Sequence, residues 1–111
     1  MTPEGQVKKA CLEYLELHGI YAWPNNTGAA RNDKGRLICF GKTGSSDIIG
    51  ILPGGKFLAV ECKSGSNTPT EEQKKFLGKI MAMGGCAILA WSVDDVEKGL
   101  DEFEELQKEL Q

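Results

Sequence analysis

The sequence predicts an α/β domain in which helices pack on a mixed β-sheet. Three observations predict it. Apolar residues recur at helical spacing near both ends of the chain and again after residue 68. Between these stripes lie short β-prone runs punctuated by Gly, Pro, Asn and Ser. Finally, residues 57–91 read strand, helix, strand, which implies a parallel crossover, whereas the strands before it are hairpin-linked.

Each element has its own signals. Thr2-Pro3 starts a helix with proline at its first position; Val7, Cys11, Tyr14, Leu15 and His18 form its stripe, and Gly19 stops it. Glu4 lies one turn before Val7 on that stripe, so its carboxylate faces inward. Ile20 to Trp23 suits a strand, closed by Pro24-Asn25-Asn26. A polar loop is expected over 25–35, followed by a strand over Arg36 to Phe40 and a second loop over 41–46. Asp47 opens a strand over 48–52, Pro53 to Lys56 form a turn, and 57–63 is the next strand. Thr68 or Thr70 caps the second helix, with Glu71 or Gln73 three residues on, and Phe76, Leu77, Ile80 and Met81 form its apolar face. Gln73 precedes Phe76 and Leu77 on the same face. Cys86 to Trp91 is a continuous apolar run, hence a strand covered on both faces. Ser92 caps a last helix with Val93, Val96, Leu100, Phe103, Leu106 and Leu110 inward.

Size and composition narrow the function classes. A chain of 111 residues fits one domain, 1–111. With 41% hydrophobic and 26% charged residues it is neither collagen-like nor disordered. No stretch reaches the ~18 apolar residues of a membrane span. The N-terminus lacks a signal-peptide pattern, so a cytoplasmic location is expected. Cys11, Cys39, Cys62 and Cys86 form no CxxC pair and the only histidine is His18, so zinc-site spacing is absent and four reduced thiols are expected. The net charge of −3 is unevenly distributed. Residues 1–92 hold 11 Lys/Arg against 8 Asp/Glu, and residues 93–111 hold 2 against 8. A mildly basic body carrying an acidic final helix remains compatible with a polyanionic partner, provided that helix lies away from it.

The most informative residues are charged ones in apolar places. In Phe57-Leu58-Ala59-Val60-Glu61-Cys62-Lys63, alternation puts Glu61 and Lys63 on one face with Phe57 and Ala59. Desolvating such charges is costly unless they are paired or bind an ion. Asp47 begins the preceding antiparallel strand. A two-residue turn would set it opposite Cys62, on the wrong face; an odd loop or a bulge would set it opposite Glu61 or Lys63. We expect the odd register, which gathers two carboxylates and a lysine. Asp47 and Glu61 then suit a hard cation such as Mg²⁺, with the backbone carbonyl of Cys62 as a third protein ligand. Lys63 would orient or deprotonate an attacking water, or stabilise charge on a phosphorane-like transition state. Glu4 would join through water or hold a second ion, and Gln73 would position the lysine, the nucleophile or the phosphate. The ordinary alternatives are a structural Glu–Lys pair, a glutamate favoured by the helix dipole and a glutamine completing a capping box.

An Asp at the start of one hairpin strand followed by Glu-x-Lys at the end of the next resembles the PD-(D/E)XK nuclease superfamily. More narrowly, the chain resembles the VRR-NUC (virus-type replication-repair nuclease) family. The matching features are Glu4 on the first helix, Gly41 and Gly44 before Asp47, Val60-Glu61-Cys62-Lys63, and Gln73 early in the next helix. They run from Glu4 to about Trp91. Ser46 stands where the family usually has proline. The resemblance implies a restriction-endonuclease-like core in α-β-β-β-α-β order with an extra C-terminal helix. It also implies a Mg²⁺- or Mn²⁺-dependent DNA endonuclease, favouring branched DNA such as four-way (Holliday) junctions in replication, repair or recombination. Small stand-alone members come from viruses and bacteria and tend to be homodimers, which implies the cytoplasm of a bacterial or virus-infected cell.

For DNA contact the expected residues are Asn26, Arg31, Lys34, Arg36 and Lys42 in loops and Lys74 on the second helix, with solvated surface charge as the plain alternative. Gly41-Lys42-Thr43 is not a P-loop, because the required earlier glycine is Arg36 and a strand rather than a helix follows. Ser45, Ser46 and His18 make no hydrolase triad, since no G-x-S-x-G elbow exists. The serious alternative is a non-catalytic nucleic-acid-binding or dimerisation module on the same fold.

Overall fold

A computed structural model describes residues 1–26 and 28–111. The elements are α1 (Pro3–Leu17), β1 (Tyr21–Pro24), β2 (Gly28–Arg31), β3 (Leu37–Phe40), β4 (Ile48–Leu52), β5 (Lys56–Cys62), α2 (Glu71–Ala82), β6 (Cys86–Ala90) and α3 (Val93–Glu109). The main sheet has the order β1-β4-β5-β6. β1 and β5 run antiparallel to β4, and β6 runs parallel to β5. This is a mixed sheet with three helices, as the periodicity predicts.

Alternation along β5 divides the interior into two layers. Leu58, Val60 and Cys62 face a core completed by Cys11 and Leu15 of α1 and Val96 of α3. Ala59 and Ile49 face Leu77, with Phe76 and Ile80 of α2 packed around them. β6 lies between α2 and α3, which is why its sequence is apolar on both faces.

The helix ends follow their local chemistry. The Thr2 hydroxyl accepts from the Gly5 N–H with Pro3 at the first position of α1. At α2 the choice between two threonines falls to Thr70, which forms a reciprocal capping box with Gln73. At α3 the expected cap differs. Ser92 occupies the N-cap position without a side-chain cap bond. Instead the Asp95 carboxylate reaches back to accept from the Trp91 N–H at 2.8 Å, a charge-assisted bond that a hydroxyl does not match.

The expected loop over 25–35 needs correcting. Residues 28–31 form β2, which pairs only with β3 in a separate two-stranded ribbon. Gly-Ala-Ala-Arg has weak strand propensity of its own, and pairing with Leu37 to Phe40 supplies what the sequence lacks. Among the described residues the ribbon packs closely on no other element, and the molecule measures 54 × 29 × 26 Å. All four cysteines are free thiols, and among the described residues no helix is long and apolar enough to cross a membrane.

Candidate active site

The site forms where β4 begins and β5 ends. The β4–β5 ladder pairs Ile48 with Val60 and Leu52 with Lys56, leaving a three-residue connection, Pro53-Gly54-Gly55. Gly54 and Gly55 both have positive φ, 89° and 82°, which a residue with a Cβ adopts only under strain. The odd loop therefore sets the odd register, and one step beyond Ile48–Val60 Asp47 falls opposite Glu61. Asp47 Oδ2 accepts from the Cys62 N–H at 2.9 Å, which ties the carboxylate across the strand ends.

Glu61 is only 2% exposed and Lys63 only 8%. The Lys63 ammonium lies 3.4 Å from Glu61 Oε2, and Lys63 N–H donates to the Ala90 carbonyl, which extends the backbone pairing beyond β5. Glu61 Oε1 is buried without a hydrogen-bond partner among the described residues. Burial first, and then the Asp47 charge, push the Glu61 carboxyl up to about 7, against the opposing pull of Lys63. A buried carboxylate with an orphaned oxygen, beside a second carboxylate and only partly neutralised by one lysine, fits a divalent cation. The Cys62 side chain lies on the other face, in the core. Its hydrogen bond with Cys11 and its burial push the thiol up, so its sulfur is no anionic ligand and the residue's available donor is the backbone carbonyl.

Around this pair the structure distributes the other expected residues. Glu4 is half-buried in the first turn of α1 and makes no ion pair among the described residues. No three His, Cys, Asp or Glu side chains converge as a metal cluster among the described residues, so Asp47 and Glu61 stand as a pair of carboxylates. Gln73 Oε1 accepts from the Thr70 N–H in the capping box, the ordinary use of a glutamine at that position. Lys74 pairs with Glu71 at 3.2 Å on the exposed side of α2. Asn26 is exposed, Arg31 and Arg36 lie at the far end of the ribbon with Lys34 at its tip, and Lys42 is exposed in the following loop.

Sequence reasoning missed Lys8. Its ammonium sits 3.6 Å from Asp47 Oδ1, one helical turn beyond Glu4. The signal was present, since positions 4, 8, 11 and 15 make one stripe on α1 and Cys11 and Leu15 are fully buried.

Two devices hold the loop before Asp47. The Asn25 side-chain amide donates to Ser45 Oγ at 2.8 Å and to the Ser46 carbonyl at 2.9 Å, and the Asn25 N–H donates to the Asp47 carbonyl. Gly44 has φ +80°, and a Cβ there would come within 2.8 Å of Glu72 Cβ and 2.9 Å of Glu72 backbone atoms. Only glycine lets this loop press against the start of α2. Ser46, in the usual proline position, is buried and extends the same anchored segment.

A scan of protein-family models returns no match, and a search of curated protein sequences returns none either. The resemblance stated above therefore rests on the ordered residues themselves.

Proposed function

We propose that this chain is a Mg²⁺- or Mn²⁺-dependent DNA endonuclease of the VRR-NUC kind, hydrolysing phosphodiester bonds in branched or junction DNA. The observation that carries the proposal is the Asp47–Glu61–Lys63 cluster at the strand ends, with one buried Glu61 oxygen left without a partner among the described residues. With the β2–β3 ribbon set aside as an insertion, the order α1-β1-β4-β5-α2-β6 is compatible with a restriction-endonuclease-like core, and α3 is the extra helix.

Asp47, Glu61 and the Cys62 carbonyl would hold the cation, with Glu4 contributing through water or at a second ion. The cation supplies charge neutralisation and Lewis-acid activation at the phosphate. Lys63, held by Glu61, keeps a proton-bearing group beside the carboxylates. As an ammonium it would orient the attacking water or stabilise negative charge in the transition state; to deprotonate that water it would first have to give up its own proton. Lys8, already near Asp47, adds positive charge on the α1 side where a phosphate would approach. The Gln73 side-chain nitrogen remains a donor while its oxygen serves the cap. A homodimer in a bacterial or virus-infected cell completes the proposal.

A non-catalytic DNA-binding or dimerisation module draws support from the convergence of only two carboxylates among the described residues. The two functions separate in one experiment. Labelled linear, flap, single-stranded and four-way DNA are incubated with the protein in Mg²⁺, Mn²⁺ or EDTA, alongside Lys63→Ala. A nuclease cleaves at least one DNA in metal only, and Lys63→Ala abolishes cleavage while staying folded. Uncleaved DNA in every lane would reject the enzyme. Light scattering of the same sample tests the dimer, and a monomer mass would remove it.

A further inference from the structure

The candidate site does not explain the ribbon β2–β3. Its described side chains are exposed throughout, and among the described residues it packs closely on no other element. An isolated two-stranded hairpin is marginal in water, and this one exposes Leu37 at 55% and Ile38 at 45%. Such a ribbon is built to meet something.

Charge identifies the partner. Residues 28–42 hold Arg31, Lys34, Arg36 and Lys42 against one acid, Asp33. The rest of residues 1–92 holds seven Lys/Arg and seven Asp/Glu. The whole positive excess of the body therefore sits on the ribbon and its exit. At the tip, Asn32 Oδ1 accepts from the Lys34 and Arg36 N–H groups, and the Arg31 guanidinium donates to the Gly35 carbonyl at 2.9 Å. Local bonds thus fix the tip's backbone, while the Lys34 and Arg36 side chains have no ion-pair partner among the described residues. Asn32, Asp33, Lys34 and Arg36 line a concavity of about 320 Å³.

Position points the same way. The root of the ribbon is bonded to the loop that delivers Asp47, through Asn25 to Ser45, Ser46 and the Asp47 carbonyl. A ligand gripped by the ribbon therefore extends from beside the Asp47–Glu61 pair.

We infer that the β2–β3 ribbon is a nucleic-acid-binding arm, whose Lys34 and Arg36 at the far end seat on duplex DNA phosphates beside the candidate active site. The inference deepens the proposed function and rests on it for the identity of the partner.

The test compares wild type with Lys34→Ser/Arg36→Ser, which leaves Asn32 and the tip's backbone bonds in place. Binding to labelled duplex and four-way DNA is followed by fluorescence anisotropy in EDTA, between about 50 and 200 mM NaCl. Both proteins are also assayed for Mg²⁺-induced thermal stabilisation and Mg²⁺-dependent cleavage. The variant's plot of log affinity against log salt should flatten by about 2, at ~0.9 per phosphate contact. Its Mg²⁺-induced stabilisation should equal that of wild type. An unchanged slope in the variant, or no duplex binding by wild type, would overturn the arm. A variant that shifts from dimer to monomer with its slope unchanged would also overturn it, in favour of a second copy as the ribbon's partner. If wild type cleaves no DNA yet the slope still flattens, the arm stands and the nuclease falls.

Discussion

Replacing Glu61 with glutamine perturbs the structure at its most costly charge. The side chain keeps its shape but loses its ionisation. A carboxyl raised from 4.5 to about 7 by burial and the Asp47 charge destabilises the folded, metal-free protein by about 3 kcal/mol once ionised, with the attraction of Lys63 already included. The sign follows from proton binding. Between pH 4.5 and about 7 the folded state binds more protons than the unfolded one, so stability falls as pH rises through that window. Above it the cost is fully present, and below 4.5 it vanishes. Glu61→Gln should therefore melt roughly 12–24 °C higher than wild type at pH 8 in EDTA, at roughly 4–8 °C per kcal/mol. The two proteins should converge near pH 4.5. Saturating Mg²⁺ should stabilise the wild type at pH 8, by about 3 kcal/mol at a hundredfold excess over Kd, and leave the variant nearly unmoved. Thermal melts followed by circular dichroism across pH, with and without metal, carry the test. A variant no more stable than wild type at pH 8, or a difference that persists unchanged at pH 4.5, would refute the electrostatic reasoning.

Other perturbations probe the framework. Gly44→Ala should cost about 1–2 kcal/mol for the left-handed backbone alone, and more from the Glu72 contact; chemical denaturation measures it, and an unchanged midpoint would show that the loop does not press on α2. Thr70→Ala should cost about 1 kcal/mol through the lost capping box, with α2 exchanging its first amide hydrogens faster. Lys8→Met removes a 37% exposed partner of Asp47, so stability should change by less than about 1 kcal/mol. Mg²⁺ should nonetheless bind several-fold more tightly by calorimetry, because a competing positive charge has gone; weaker binding would contradict the placement of the cation at Asp47.

Much of this arrangement is legible in the sequence because buried charge is expensive. Glu61 and Lys63 interrupt an apolar strand at alternating positions, and the only economical register sets Asp47 against them. The three-residue loop with two positive-φ glycines realises that register. The ribbon is not legible for the opposite reason. Gly28 to Arg31 carry neither alternation nor β-branched residues, and their strand exists only by pairing with 37–40. Lys8 escapes notice because a lysine four residues after a glutamate reads as an ordinary helix pair. Its approach to Asp47 depends on how α1 crosses the sheet. Gln73 illustrates a residue whose capping bond is one of two that spacing offers, whereas any role toward a phosphate depends on the tertiary position of its free nitrogen.

The central claim is that Asp47, Glu61 and Lys63 form a metal-dependent phosphodiesterase. Its most direct test is the initial rate of Mn²⁺-dependent cleavage of a four-way DNA junction, at equal concentrations of folded wild type, Asp47→Asn and Lys63→Ala. Cleavage by wild type alone, abolished by EDTA and absent from both variants, is the predicted result. Equal rates in all three proteins, or wild-type cleavage that survives EDTA, would contradict it.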